Sequence, residues 1–446
     1  MVKVIIGSGY GDEGKGRLTD YLSNKDTVVI RFNGGPQSGH TAVAHVFNVD
    51  RHRTDRAPFY LNRHVFHHFG AGTLQGASTY LSRFFIVNPI LYQKELKELK
   101  DLGVEPEIFI DENCLVTTPY DMMLNEIMEK SRGKERHGSC GCGINETIVR
   151  DEVIPIRFSE QNIEDKLKQI KEGYFESRVK CASLLGIPAD YEKLLNNDKI
   201  LKRYIKEFKS MQDKIISTVD MKKRLKGRDI IFEGAQGLML DQNHKFFPHV
   251  TRSNTGIKNI TELLCDLKIK EEPEIIYVTR CYSTRHGEGP FPGEVSKCPV
   301  GEVDETNKHN EFQGSLRYGN IDLDILKEAI TKDLIDAPLR YTKSIAVTCL
   351  DQLNDVKFTV SNHTRTVPKE AFVNLLATHL GIPSVYKAFG KTKNHTTSVT
   401  VDVKVKPWFV TESLCELCGR RQIGCPYQYD GEECQEKRYH FLKNSL

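Results

Sequence analysis

An α/β fold, with a mostly parallel, twisted central sheet covered by helices, is predicted by three observations. Short apolar runs rich in β-branched residues recur at 2–6, 27–32, 229–232, 275–280 and 343–348. Helical patterns fall between them, and several of the runs end in polar, glycine-rich loops. Strands that alternate with helices build a parallel sheet, and glycine loops at the strand ends mark the edge where such sheets bind ligands.

The bulk properties fit that class. The 446 residues can bury a large core, and 39% apolar with 28% charged content is ordinary for a water-soluble protein. A formal charge of +3 with no dominant basic tract leaves no footprint for nucleic acid. No apolar run approaches the ~20 residues that span a bilayer, and the chain enters a strand at once, so a cytosolic protein is expected. Eight of the twelve cysteines lie between Cys114 and Cys349 and read mostly as small buried hydrophobes rather than a disulfide framework.

Taken in order, the first strand at 2–6 runs into Gly7-Ser8-Gly9-Tyr10-Gly11-Asp12-Glu13-Gly14-Lys15-Gly16, then a helix with Leu18, Tyr21 and Leu22 on one face. The second strand, 27–32, ends in Asn33-Gly34-Gly35-Pro36-Gln37-Ser38-Gly39-His40-Thr41, and the two loops are expected side by side on neighbouring strands. Alternation at 43–70 predicts short strands, 84–87 a further strand, and 89–102 a helix with Leu91, Leu96 and Leu99 inward. A strand at 107–111 and a helix at 118–130, capped by Thr118 with Asp121, precede a third glycine loop, Gly138-Ser139-Cys140-Gly141-Cys142-Gly143. Residues 160–228 read as a charged helical insertion packed on the sheet. After it come the strand at 229–232, the strand at 275–280, a Gly/Pro loop at 283–294, and the strand at 343–348. The expected organisation is one domain over 1–405 and a Cys-rich extension over 406–446.

Chemistry concentrates in the glycine loops. Gly9-x-x-x-x-Gly14-Lys15 fits a phosphate loop, with Lys15 for phosphate oxygens and Gly16 where a metal-binding Ser or Thr usually stands. A dinucleotide fingerprint fits less well, because no acidic residue closes the second strand. Asp12 and Glu13 repel phosphate unless a carboxylate there binds a metal or removes a proton. His40, between Gly39 and Thr41, suits an acid or hydrogen-bond donor.

Five blocks then resemble the adenylosuccinate synthetase family, in family order across residues 11–294. They are Gly11-Asp12-Glu13-Gly14-Lys15-Gly16; Gly34-Gly35 with Gly39-His40-Thr41; Phe232-Glu233-Gly234-Ala235-Gln236-Gly237 with Leu240-Asp241; Val250-Thr251 with Ser253-Asn254-Thr255; and Ser283-Thr284-Arg285 with Gly287, Gly289-Pro290-Phe291-Pro292 and Glu294. The resemblance implies a ligase that joins L-aspartate to C6 of a 6-oxopurine nucleoside monophosphate, using a nucleoside triphosphate and Mg²⁺. Asp12 would take the N1 proton and bind Mg²⁺ with the Gly39 carbonyl. His40 and Lys15 would stabilise the transferring phosphoryl group. Gly11, Glu13, Gly14, Gly16, Gln37, Ser38 and Thr41 would line the nucleotide sites, Gln236 and Thr251 would hold the purine monophosphate and its 5′-phosphate with Ser139 and Cys140 as the other 5′-phosphate contact, and Asp351 would read the donor base. The family works as a homodimer in which an arginine crosses to the neighbour's site, and Arg150 is the candidate.

Departures from the family pattern narrow the reading. The aspartate loop, threonine-rich with four arginines in the family, is here Glu311-Phe312-Gln313-Gly314-Ser315-Leu316-Arg317, which leaves Arg317 and Ser315 as the aspartate contacts. Gln37 replaces the usual Asn, and Cys349 replaces a lysine near Asp351, which loosens the case for GTP over ATP. The short Gln-Gly-x-x-Arg loop and the Gly-Cys-Gly loop resemble the phage branch. That branch condenses aspartate with dGMP toward 2-aminoadenine, and its members commonly carry a smaller residue where Asp12 is retained. Guanylate is therefore the favoured substrate, with IMP as the alternative and an inactive nucleotide-binding regulator as a second. Beyond the family's usual end, Cys415, Cys418, Cys425 and Cys434 suit a structural Zn²⁺ site.

Overall fold

The computed structural model describes residues 1–47, 59–181, 186–301 and 313–403. Its centre is a ten-stranded sheet in the order Thr396–Thr400, Ser384–Ala388, Thr342–Thr348, Glu274–Arg280, Val2–Gly7, Asp229–Gly237, Thr27–Arg31, Ser78–Leu81, Ile108–Asp111, Ile215–Ile216. Every neighbouring pair is parallel except Ser384–Ala388 with Thr396–Thr400 at one edge. Val2–Gly7 and Thr27–Arg31 are buried along their whole length, as strands covered by helices on both faces must be. Alternate residues serve opposite layers: Val4 and Ile6 join the large core with Phe232 and Tyr277, while Ile5 packs with Leu18 and Ile276.

One expectation changes at the centre of the sheet. The two glycine loops do not leave neighbouring strands, because Asp229–Gly237 pairs with both Val2–Gly7 and Thr27–Arg31 and lies between them. The crossover from the first strand to the second skips one place, and a strand from much later in the chain fills it. This brings Glu233 and Gln236 between the loops.

Elsewhere the differences are local. The stretch read as short strands includes the antiparallel hairpin His40–Phe47 with Phe59–Phe66, which stands off the main sheet. Of 84–87, only Ile86–Val87 is a strand. The helix Pro89–Asp101 buries Tyr92, Glu95 and Leu99, and leaves Leu91 and Leu96 partly covered. The face is turned because Glu95 accepts hydrogen bonds from the amides of His67 (2.8 Å) and His68 (2.7 Å). Thr118 and Asp121 form the expected capping box on the helix Pro119–Arg132. The 160–228 segment is mainly helical but contributes Ile215–Ile216 to the sheet edge, and its helices lean on Pro89–Asp101 and Pro119–Arg132.

Candidate active site

The carboxyl ends of five adjacent strands open on one edge: Thr342–Thr348, Glu274–Arg280, Val2–Gly7, Asp229–Gly237 and Thr27–Arg31. In the first loop, Glu13 folds inward. Its Oε1 accepts from Gly9 N (3.0 Å) and Gly11 N (2.8 Å), and its Oε2 pairs with Lys15 Nζ at 2.7 Å. Both side chains are at least 96% buried. Glu13, expected at a nucleotide, therefore organises the loop and balances Lys15. A side chain at Gly7 would come within 2.4 Å of Glu13 Oε2. One at Gly16 would strike His40 Cβ at 2.7 Å, which is why glycine, and not Ser or Thr, opens this helix.

Asp12 adopts φ 63°, a left-handed backbone that a non-glycine residue holds only when its surroundings enforce it. Arg280 Nε donates to its carbonyl oxygen, and His286 Nε2 lies 3.0 Å from Oδ2. Burial alone would raise the carboxyl pKa. The His286 hydrogen bond and the charges of Arg280 and Lys15 outweigh it and hold the group down at about 2. Asp12 is ionised at neutral pH.

The second loop is stitched to the strand beside it. Asn33 exchanges two hydrogen bonds with the Ala235 backbone (2.7 and 2.9 Å), and Gly34 N donates to Ser253 Oγ at 3.1 Å. Ser38 is engaged, accepting from Arg31 and donating to Gly35 O, so its hydroxyl serves the loop. The Gln37 amide has both its oxygen and its nitrogen buried without a partner among the described residues. His40 Nδ1 lies 2.8 Å from Glu233 Oε1 as an ion-pair contact, without the geometry of a hydrogen bond, and its Nε2 is buried without a hydrogen-bond partner among the described residues. Burial lowers the His40 pKa against the upward pull of Glu233. Glu233 also accepts from Ala71 N. Against the upward push of burial, His40 and Arg31 hold its carboxyl at about 2.

The remaining predicted residues divide. Gln236, at φ 65°, lies against Gly11. Thr251 is tied through its amide to Leu240 O (2.9 Å). Ser139 shares its hydroxyl with Asn125, and Gly138 N donates to Glu129 at 3.0 Å, so the third loop is held from the helix Pro119–Arg132. Cys140 is partly buried beside it, Gly39 is exposed, and Thr41 lies in the hairpin. Asp351 lines a cleft of about 150 Å³ with Asp12, Gly14, Arg17, Arg280 and Lys391. A larger cavity of about 390 Å³, between 238–258 and the helix Leu323–Asp333, contains none of the predicted catalytic residues. Arg317 pairs with Glu294 (2.8 Å to Oε1) and donates to the carbonyls of Gly287 and Gly289, while Ser315 is exposed near by in the chain.

Arg150 does not reach outward. Its side chain is wholly buried, paired with Asp121 at 2.9 Å and bonded to Ile154 O and Val116 O, so it is spent inside its own subunit. Cys415, Cys418, Cys425 and Cys434 lie outside the described residues. The residue pattern missed His286, which falls at a position the motif leaves open, and Glu129 and Asn125, which look like ordinary helix-surface residues. Glu233 stood within a recognised block with no role.

Comparison with known families matches residues 4–398 to one of them, adenylosuccinate synthetase. The chain belongs to that family. An adenylosuccinate synthetase of Borrelia turicatae is 31% identical over 376 residues, covering 80% of this chain and 78% of that protein. One from Thermotoga maritima is 29% identical over 363 residues, covering 79% and 81%. Two solved structures share the fold. The fully ligated adenylosuccinate synthetase of Plasmodium falciparum gives a TM-score of 0.65 at 18% identity, over 89% of this chain and 99% of that one. Cyanophage S-2L succinoaminodeoxyadenylate synthetase, bound to dGMP and dATP, gives 0.55 at 14% identity, over 90% and 96%. As an adenylosuccinate-synthetase-type ligase, the chain is an enzyme of a family that binds a purine monophosphate, a nucleoside triphosphate and aspartate, and uses Mg²⁺. Among the described residues no helix is long and apolar enough to cross a membrane.

Proposed function

We propose that this ligase acts on guanylate, as dGMP or GMP, condensing it with L-aspartate to give the 2-amino-adenylosuccinate nucleotide. Asp12 takes the N1 proton, and the 6-oxygen attacks the γ-phosphoryl group, releasing a nucleoside diphosphate. His40, oriented through Nδ1 by Glu233, meets the transferring group with Nε2, and Lys15 leaves Glu13 to neutralise it. The aspartate amine then adds at C6, loses a proton, and phosphate departs. Such transfers rest on positioning and charge neutralisation. The observation that carries the chemistry is the ionised Asp12 beside Lys15, with the buried His40–Glu233 pair one strand away.

Mg²⁺ suits these residues. No cluster of three or more His, Cys, Asp or Glu forms a metal cage among the described residues, but Mg²⁺ takes one or two carboxylates together with substrate phosphates. Asp12 and the Gly39 carbonyl would hold it, and when bound it neutralises charge on the triphosphate.

Two features support guanylate: the shortened loop with Arg317, and the Ser139-Cys140-Gly141-Cys142-Gly143 nucleotide loop. IMP is the second reading, favoured by the retained Asp12 and by curated relatives that are adenylosuccinate synthetases. A homodimer belongs to the proposal, with some residue other than Arg150 crossing. Phosphate release is measured with aspartate, ATP or GTP, and each of IMP, GMP and dGMP. Highest kcat/KM with GMP or dGMP is expected. A preference for IMP selects the second reading, and no release with any pair ends the ligase reading.

A further inference from the structure

The acid–base residue does not stand alone. Its carboxylate has two oxygens, and the side chain can rotate even where its backbone is fixed. The Asp12 backbone is pinned, at φ 63° with its carbonyl held by Arg280. The carboxylate is pinned separately, by His286 Nε2 at 3.0 Å from Oδ2, with both side chains about three-quarters covered at the mouth of the loop.

The loop carrying His286 is itself fixed from three directions. Thr284, two residues earlier, donates to Gly11 O at 3.4 Å and ties it to the first glycine loop. The strand Ser283–Arg285 pairs antiparallel with Arg317–Gly319, and Arg317 donates to the carbonyls of Gly287 and Gly289. A side chain at Gly138 would come within 2.8 Å of Gly287 Cα, so the third glycine loop presses on the same turn. His286 is thus set by the elements proposed to hold the triphosphate, the monophosphate and aspartate.

We infer that His286 is a positioning residue for the reaction: it fixes Oδ2 of Asp12 and leaves Oδ1 to meet the purine N1–H. Without that donor the carboxylate turns toward the remaining cations that act on it, Arg280 and Lys15. The oxygen that must take the proton then spends less time aimed at it. This rests on the ligase reading above, in which Asp12 is the base. Losing such a supporting hydrogen bond costs about 10- to 100-fold in rate when geometry is what it supplies.

The test compares wild type, His286→Ala and His286→Gln in the phosphate-release assay, with KM for each substrate and a thermal melt of each protein. His286→Ala is expected to lower kcat about 10- to 100-fold, with the KM values of both nucleotides within about threefold and an unchanged melt. His286→Gln, whose amide N–H can reach Oδ2, is expected to recover at least a few-fold of the lost kcat. Wild-type kcat in the Ala variant overturns the inference. So does equal damage in both variants with raised KM values or a lowered melt, which marks a structural part only. An inactive wild type ends the ligase reading and this inference with it, so the two failures are distinguishable.

Discussion

The first and third glycine loops are both rich in glycine and both border the candidate site, yet they are built differently. The first carries a brace of its own, since Glu13 reaches back to Gly9 and Gly11 and across to Lys15, all inside seven residues, and Arg280, Thr284 and Thr348 hold its carbonyls from outside. The third is held from without, by Asn125 and Glu129 on the helix Pro119–Arg132 and by the turn at Gly287. A loop with an internal brace keeps part of its shape wherever the strand and helix around it form. A loop hung on its neighbours takes its shape only when the whole domain closes. Damage to the first should remove catalysis or folding; damage to the third should weaken one substrate.

Asp12→Asn gives the largest expected effect. It removes the base and a charge that Arg280 and His286 face, so kcat should fall by about 10³-fold while nucleotide binding, followed by calorimetry, persists. Near-normal turnover would refute the role. Glu13→Gln leaves Lys15 buried and uncompensated and should cost about 3–5 kcal/mol of unfolding free energy, read by urea titration. A loss below about 1 kcal/mol would show that the loop does not depend on that pair.

Glu129→Ala strips the acceptor from Gly138 N and should raise KM for the purine monophosphate about tenfold, with the triphosphate KM unchanged. If both KM values rise together, the two loops are not independent and the comparison breaks. The last effect lies outside both loops. Burial raises the Asp333 carboxyl to about 7, while it accepts from Ile257 N (2.7 Å) and Tyr277 Oη (2.8 Å). A raised folded-state pKa means that the folded protein binds the extra proton, so this group's stabilisation is full below the unfolded value and is lost as pH rises to about 7. Stability of Asp333→Asn relative to wild type should therefore increase between pH 4 and 7 and level off above. A flat difference would remove Asp333 as the cause.

Much of the site is legible in the residues because its parts are local. The run Gly11 to Gly16 encodes its own turn, its anion-binding helix start and its internal ion pair, so Asp12, Lys15 and the loop around them can be read before any folding. The same holds for the capping box at Thr118 and Asp121. The parts that could not be read are pairs distant in sequence: His40 with Glu233, Asp12 with His286, and Glu95 with the backbone at His67 and His68. Arg150 shows the opposite failure, since a charge that looks free in sequence is consumed by Asp121 inside the fold.

By itself, then, the sequence determined an α/β sheet with glycine loops at its ligand edge and the family, and it singled out Asp12, Lys15 and His40 as the proposed acid, lysine and histidine. Apolar period and loop composition are local quantities, and they survive without knowledge of neighbours. Only the tertiary structure decided that Asp229–Gly237 comes between the first two strands, which sets Glu233 behind His40, and that His286 stands against Asp12. Strand order depends on which distant segment fills each place in the sheet. The ion-pair contact of His40 with Glu233 and the hydrogen bond of Asp12 with His286, across 193 and 274 residues, exist only once it is filled.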